Sequence, residues 1–294
     1  MKVGVVIPVG PGRAANLRAC LAALDAQTIK PEAIVTVHDG PEAWGIAEAA
    51  LSIPTMQVNV PKHEPGMEQP RNVGARAFSS TCMSIDHLWF VDSDVILAST
   101  ALEELHRAHL ALAYPRILVA PYDWMPPGAT SPMPLLSNDP RWPSFRHYRP
   151  DVALTNDVGA GLACFSGNLV WPRGEFERVG GFWSELHHGR CEDGELGLRA
   201  TAMDVPISFV ARARGWHLWH PVDSAEVARR NARDVPLIHR RHPWVQQGAI
   251  IVSDRDGAAF DVDCSKCGRM IPTIEWWQHA EGEHEGAFPL PVLW

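Results

Sequence analysis

The chain has 294 residues, 46% of them hydrophobic and 20% charged, with 26 basic against 34 acidic side chains and a net charge of −8. That length holds one large core, or a domain of roughly 220–250 residues with a small appendage, and so much apolar surface excludes disorder as a description of the whole. The acidic balance argues against nucleic acid or any other partner held by bulk positive charge, and no segment approaches the ~20 consecutive apolar residues of a membrane span. The start, with one Lys and a short apolar stretch running into Gly10-Pro11-Gly12, has the wrong flanks for a signal peptide. Six cysteines are too few for a disulfide framework. A cytosolic, reducing location is the expectation. Twelve Trp and twenty-five Pro imply aromatic-lined surfaces and long shaped loops.

Val3 to Val9 is a β-branched apolar run, as in a strand covered on both faces of a parallel sheet, with Pro8 marking its end. Leu17, Cys20, Leu21 and Leu24 then follow the spacing of a helix buried along one stripe. The alternation continues with a strand at 33–37, a helix at 42–51, a strand at 56–60, and a helix at 69–79 with Pro70 in its first turn. His87 to Val91 is the next strand. Thr100 with Glu103 has the capping-box spacing and predicts a helix over 101–111. Eight prolines between Pro121 and Pro150 forbid a continuous ladder or helix, so this stretch is a long loop, either a lid or irregular covering. Beyond it come a strand at 162–171, a helix at 172–179 closed by Gly180-Gly181, a helix at about 193–202, strands near 207–211 and 217–219, and a partly helical, Arg-rich stretch over 225–247. Strands and helices in this order imply an α/β fold with a mainly parallel sheet and a ligand site at the carboxyl ends of its strands.

Asp92-Ser93-Asp94 follows an apolar strand, so two carboxylates project from the rim of the sheet. They suit a divalent cation that neutralises phosphate oxygens, or a simple turn or helix cap. Further segments extend the pattern. Val5-Val6-Ile7-Pro8-Val9 opens the chain, and His38-Asp39-Gly40-Pro41 follows the second strand. Arg71-Asn72-Val73-Gly74-Ala75 lies in the predicted helix. Phe165-Ser166-Gly167-Asn168, Gly180-Gly181-Phe182, Glu192-Asp193-Gly194-Glu195-Leu196 with Arg199, and Trp219-His220-Pro221 come later in order. Over residues 3–221 this succession resembles the GT-A glycosyltransferases, especially the inverting family 2 and its metal-dependent relatives. The resemblance implies a nucleotide-binding first unit ending at Pro8, a donor base or ribose contact at Asp39, and Arg71 beneath the uridine. It places Asp92 and Ser93 at the donor, a cation on Asp92, Asp94 and His220, and an acceptor-side base at Asp193 with Glu192 sharing or orienting that role. The expected donor is a nucleoside-diphosphate sugar, most plausibly a UDP-sugar, and the acceptor is unknown.

The chemistry calls for these residue types on its own terms. A departing diphosphate needs a cation to take up its growing charge, and an acceptor hydroxyl needs a carboxylate to remove its proton. A shell of carboxylates with one imidazole fits Mn2+ or Mg2+ and tilts towards Mn2+. The acidic residues at 192, 193 and 195 also suit the first turn of a helix, a role compatible with catalysis. Two features depart from the family pattern: Pro41 stands where a Ser or Thr is usual, and His217 competes with His220. His220 is preferred because Pro follows it, leaving His217 as a packed residue or one that supports the metal ligands from just outside them. Phe182-Trp183 is a candidate acceptor wall, and His187 and His188 read as solvated loop.

Near the end, Cys264-Ser265-Lys266-Cys267 is followed after eleven residues by His279 and after four more by His284. This is close to the spacing of a Cys2His2 zinc site, with a helix starting over 271–277. Residues 254–294 carry three basic and eight acidic side chains, a net −5, which would repel phosphate, so a structural Zn2+ staple is the expectation rather than nucleic-acid reading. The expected organisation is a GT-A domain over 1–224, a linker over 225–250 and a zinc-stabilised module over 251–294. Two other functions fit parts of the pattern. One is a sugar-nucleotide nucleotidyltransferase, of which Gly10-Pro11-Gly12-Arg13 is a loose echo. The other is a zinc-finger nucleic-acid adaptor, which the −5 charge disfavours.

Overall fold

The computed structural model describes residues 1–39, 51–60, 68–80, 84–112, 114–129, 139, 141, 145–146, 148–186, 191–221, 224–243, 250–251, 261–263, 270–272 and 292–293. Along the chain come β1 (Val3–Val9), α1 (Ala14–Asp25), β2 (Ala33–His38), β3 (Thr55–Asn59), α2 (Glu68–Ala77), β4 (His87–Val91), β5 (Val95–Leu97), α3 (Ala101–Ala111), β6 (Ile117–Val119) and β7 (Tyr122–Trp124). Then follow α4 (Val158–Leu162), β8 (Asn168–Pro172), α5 (Arg173–Val179), α6 (Glu192–Ala202), β9 (Ile207–Phe209), β10 (Gly215–His217) and α7 (Ser224–Arg241). Seven strands form one sheet in the order β3-β2-β1-β4-β8-β6-β9, and a smaller sheet has the order β5-β10-β7. Only β8 runs against its neighbours in the large sheet; the other pairings are parallel. The fold is therefore the expected mainly parallel α/β sheet flanked by helices.

The β-branched runs form strands because both faces of the sheet are covered. Val5 and Ile7 face a core with Leu17, Leu21 and Leu24 of α1 and Leu102 and Leu105 of α3. Val6 and Phe90 face the opposite core, with Phe78, Trp171, Phe176 and Phe182. The four residues of the predicted α1 stripe are the ones its helix buries. Strand β1 runs one residue past Pro8. Its ladder with β4 covers Val3 to Val6 only, so Pro8 has β2 as its single strand neighbour there.

Several expectations are corrected. The strand expected over 162–171 is α4, a turn and then β8. Asp157 caps α4 by accepting from the Ala160 N–H at 2.8 Å, and short apolar runs of this kind do not distinguish helix from strand. The helix over 101–111 forms as predicted, but the Thr100 side chain makes no capping hydrogen bond. Gln27 Oε1 instead accepts from the Leu102 N–H at 3.0 Å, and Glu103 takes the Thr28 hydroxyl. The Pro-rich stretch does carry one short strand, β7, paired in parallel with β10. Near the end of the chain, Met270–Pro272 is a strand paired antiparallel with Asp261–Asp263, not the start of a helix. Cys264, Cys267, His279 and His284 lie outside the described residues, as do Gly40, Pro41, His187, His188 and residues 42–50 of the helix expected over 42–51.

Helix α6, which carries Glu192 and Asp193, crosses α4 at a glycine pair. A Cβ on Gly197 would lie 1.9 Å from the Gly161 carbonyl oxygen, a backbone atom that cannot step aside. Gly197→Ala should therefore push the helices apart, costing about 1–3 kcal/mol by overpacking. Urea denaturation of the variant tests this; an unchanged midpoint would mean that the crossing is not tight. Gly180 closes α5 at φ 93, in the left-handed region that a glycine enters freely.

Candidate active site

The candidate residues gather at the carboxyl ends of β1, β2 and β4. Asp92-Ser93-Asp94 is a tight turn between β4 and β5, closed by the Val95 N–H on the Asp92 carbonyl at 3.0 Å. Strand β10 pairs antiparallel with β5, setting His217 opposite Val95, and the Leu218 N–H donates to the Asp94 carbonyl at 2.8 Å. This pairing delivers two imidazoles to one carboxylate. His217 Nε2 lies 3.3 Å from Asp94 Oδ1, and His220 Nε2 lies 3.4 Å from Asp94 Oδ2. One ligand atom from each of the three residues falls within 4.8 Å of the others. The His217 ring packs on Trp124, their centroids 4.1 Å apart. His220 Nδ1 is 3.1 Å from the Pro221 carbonyl. A carbonyl only accepts, so Nδ1 carries the proton and Nε2 is turned towards Asp94.

A second constellation adjoins the first. The buried Arg71 guanidinium reaches Asp92 Oδ1 through Nη2 and Glu192 Oε1 through Nη1, both at 2.7 Å, with Asp193 Oδ1 at 3.6 Å. Burial alone would lower its pKa, but Asp92, Asp193 and Glu192 hold it charged and raise it instead. Burial pushes the Glu192 carboxyl up to about 8, with Asp193 adding to the rise and Arg71 opposing it. Asp193 is also raised by burial, against the pull of Arg71 and of hydrogen bonds from Ser166. Both its oxygens are engaged by Ser166, Oδ2 by the backbone N–H at 3.0 Å and Oδ1 by the hydroxyl. Of the two acids Asp193 is the more open, its side chain 16% exposed against 4% for Glu192.

Of the residues singled out in the sequence, Asp94 and His220 meet directly, and Asp193, Glu192, Arg71 and Asp92 form one connected set. His217, expected as a packed residue or as a support just outside the metal ligands, reaches Asp94 as closely as His220 does. Asp92, expected beside Asp94 on a cation, has Oδ1 on Arg71 and lies outside the Asp94, His217 and His220 group. Arg71 points at three carboxylates. Asp39 ends β2 with Oδ1 buried and without a hydrogen-bond partner among the described residues. Pro8 is buried in β1 beside Val37, and Ser93 is buried within its turn. Arg13, read in the sequence only as the end of a loop that loosely echoes the nucleotidyltransferases, reaches Asp94 Oδ2 with Nη1 at 3.3 Å. Its position after Gly10-Pro11-Gly12 at a strand's carboxyl end was the available signal.

The donor set of Asp94, His217 and His220 fits a divalent transition metal. It brings one carboxylate and two imidazoles together with a ligand atom of each within 4.8 Å of the others, donors that suit such an ion. Among the described residues no helix is long and apolar enough to cross a membrane.

No protein-family model matches the sequence, and no curated protein matches it. The structure is similar to crystal structures of S. aureus TarS. Residues 1–349 of TarS in complex with UDP align with a TM-score of 0.57 at 18% identity, over 80% of this chain and 65% of that one. The complex with UDP-GlcNAc aligns with a TM-score of 0.56 at 14% identity, over 76% and 60%. A further structure of TarS 1–349 aligns at 0.58 and 15% identity, over 82% and 65%. The chain thus spans between 60% and 65% of those TarS chains. Together with the strand order, this likeness shows that the α/β domain has the GT-A glycosyltransferase fold.

Proposed function

We propose that this protein is a divalent-metal-dependent glycosyltransferase that takes its sugar from a nucleoside-diphosphate sugar, a UDP-sugar in the first instance, and passes it with inversion to an acceptor hydroxyl. The observation that carries the reading is the meeting of Asp94, His217 and His220 beside the carboxylates gathered by Arg71. TarS, of the same fold, has been crystallised with UDP and with UDP-GlcNAc, which supports the choice of donor.

In this reading Asp94, His217 and His220 hold the cation, and two imidazoles favour Mn2+ over Mg2+. A divalent cation at that place stabilises the negative charge that grows on the departing diphosphate. Asp39, whose Oδ1 has no hydrogen-bond partner among the described residues, offers that oxygen to an N–H of the base. Asp92 and Ser93 border the donor on the same turn as Asp94. Asp193 is the general base: Ser166 fixes its orientation, and burial raises its carboxyl, which makes it a stronger base than an ordinary carboxylate. Glu192 anchors Arg71, whose fixed positive charge allows three carboxylates to share one rim.

A screen of nucleotide sugars for Mn2+-dependent hydrolysis tests the proposal. At least one UDP-sugar should be hydrolysed with Mn2+ and spared with chelator. Asp94→Ala should lower that rate by about 100-fold or more and weaken Mn2+ binding measured by electron paramagnetic resonance. Release of pyrophosphate from UTP and a sugar phosphate, with no hydrolysis of any nucleotide sugar, would favour a nucleotidyltransferase and overturn the reading.

A further inference from the structure

Arg13 stands at the carboxyl end of β1, where Gly12 turns the chain at φ 72 into α1. Its Nη1 lies 3.3 Å from Asp94 Oδ2, and His220 Nε2 lies 3.4 Å from that same oxygen. Arg13 is 29% exposed at the side chain, whereas Asp94 is 9% exposed. A partly exposed cationic side chain therefore reaches in from the rim to a carboxylate that the candidate metal site also needs. A metal ion and a guanidinium drawn to the same carboxylate oxygen repel each other, so each weakens the other's hold on it.

We infer that Arg13 is a diphosphate-binding residue that alternates between two partners. Without ligand it neutralises Asp94; with metal and nucleotide in place it leaves Asp94 and holds the phosphate oxygens beside the cation. This rests on the proposed transferase reading and adds to it a second positive group for the leaving nucleotide. The need for one follows from charge. The nucleotide gains a negative charge as the sugar departs, and the four described acidic groups around it, Asp92, Asp94, Glu192 and Asp193, face two described guanidiniums, Arg71 and Arg13. Arg71 is committed, with bonds of 2.7 Å to Asp92 and Glu192 and 4% exposure. Arg13 makes one longer contact and stays partly open, so it is the cation that can move to a phosphate. A guanidinium suits that task through its fork of donors, and it needs no backbone change to swing between oxygens a few ångströms apart.

The inference gives opposite signs for two affinities. In Arg13→Ala, Mn2+ alone should bind about 3–10-fold more tightly, because a competing cation has left Asp94. UDP in saturating Mn2+ should bind about 10–100-fold more weakly, the loss of one charge-assisted hydrogen-bonded pair. Arg13→Lys keeps the charge without the fork and should fall between on UDP while matching wild type on Mn2+. Titration calorimetry with UDP and electron paramagnetic resonance of Mn2+ read both, beside thermal unfolding of each variant. Unchanged UDP affinity in Arg13→Ala, with Mn2+ bound, overturns the inference and leaves the transferase reading standing. Loss of both affinities together overturns it as well, since that is the mark of a bracing role. A wild-type protein that binds neither Mn2+ nor UDP removes the transferase reading and this inference with it.

Discussion

Replacing Asp193 by Asn is expected to lower sugar transfer by about 10²–10⁴-fold while leaving donor affinity within about twofold of wild type. The side chains have the same shape. Ser166 can keep both contacts: its N–H still finds the amide oxygen, and its hydroxyl turns from donating to accepting. Arg71 keeps Asp92 and Glu192 at 2.7 Å, so the rim stays charged and assembled. What disappears is the group able to take a proton. Because burial raises the Asp193 carboxyl above its ordinary range, the wild-type rate should climb with pH through that raised value, and the variant should lose that limb. Initial rates with the nucleotide sugar found by the screen, beside UDP titration calorimetry, give the comparison. Near-native turnover in Asp193→Asn would remove the base assignment. Equal losses in rate and in UDP affinity would make Asp193 part of the donor pocket instead.

The contrast between Asp193 and His217 shows what a sequence discloses here. Asp193 begins a helix after Gly180-Gly181-Phe182, a local pattern that can be read along the chain. His217 matters because β10 pairs with β5, and no local periodicity reports a pairing between strands 120 residues apart. The buried runs of β1 and β4 and the α1 stripe were legible since covering both sheet faces demands near-continuous apolar residues. Val158–Leu162 was not, because its helix depends on Gly161 meeting Gly197 in space. The capping box at Thr100 and Glu103 marked the right boundary for the wrong reason: Gln27, far away in sequence, holds the helix start. Arg13 was visible as a residue but not as a partner of Asp94, since only the folded sheet brings the two strand ends together.

The Pro-rich stretch supplies the largest expected effect on stability. Arg141 is buried and donates to Asp139 through Nε at 3.0 Å and Nη2 at 2.8 Å, to the Ala163 carbonyl at 3.0 Å and to the Ala120 carbonyl at 3.3 Å. Its guanidinium also lies over Phe165, 4.4 Å from the ring centre. Asp139 in turn accepts from the Tyr122 N–H at 3.0 Å. With both partners 3% exposed or less, the pair has already lost its water, and its favourable balance depends on every hydrogen bond being made. Arg141→Ala leaves Asp139 as an uncompensated buried charge and should cost about 3–5 kcal/mol, whereas Asp139→Asn with Arg141→Ala removes both charges and should cost less than the sum of the two single changes. Urea denaturation of the four proteins closes the cycle. The effect extends to the site, because Ala163 and Phe165 lead directly into Ser166, the residue that orients Asp193. Arg141→Ala should therefore lower hydrolysis even at temperatures where it stays folded, with Mn2+ affinity unchanged, since Asp94, His217 and His220 are held by β5 and β10 instead. A loss below about 1 kcal/mol, the usual worth of an exposed pair, would mean that water reaches this pair, and a fall in Mn2+ affinity would mean that the brace extends to the metal side of the cleft.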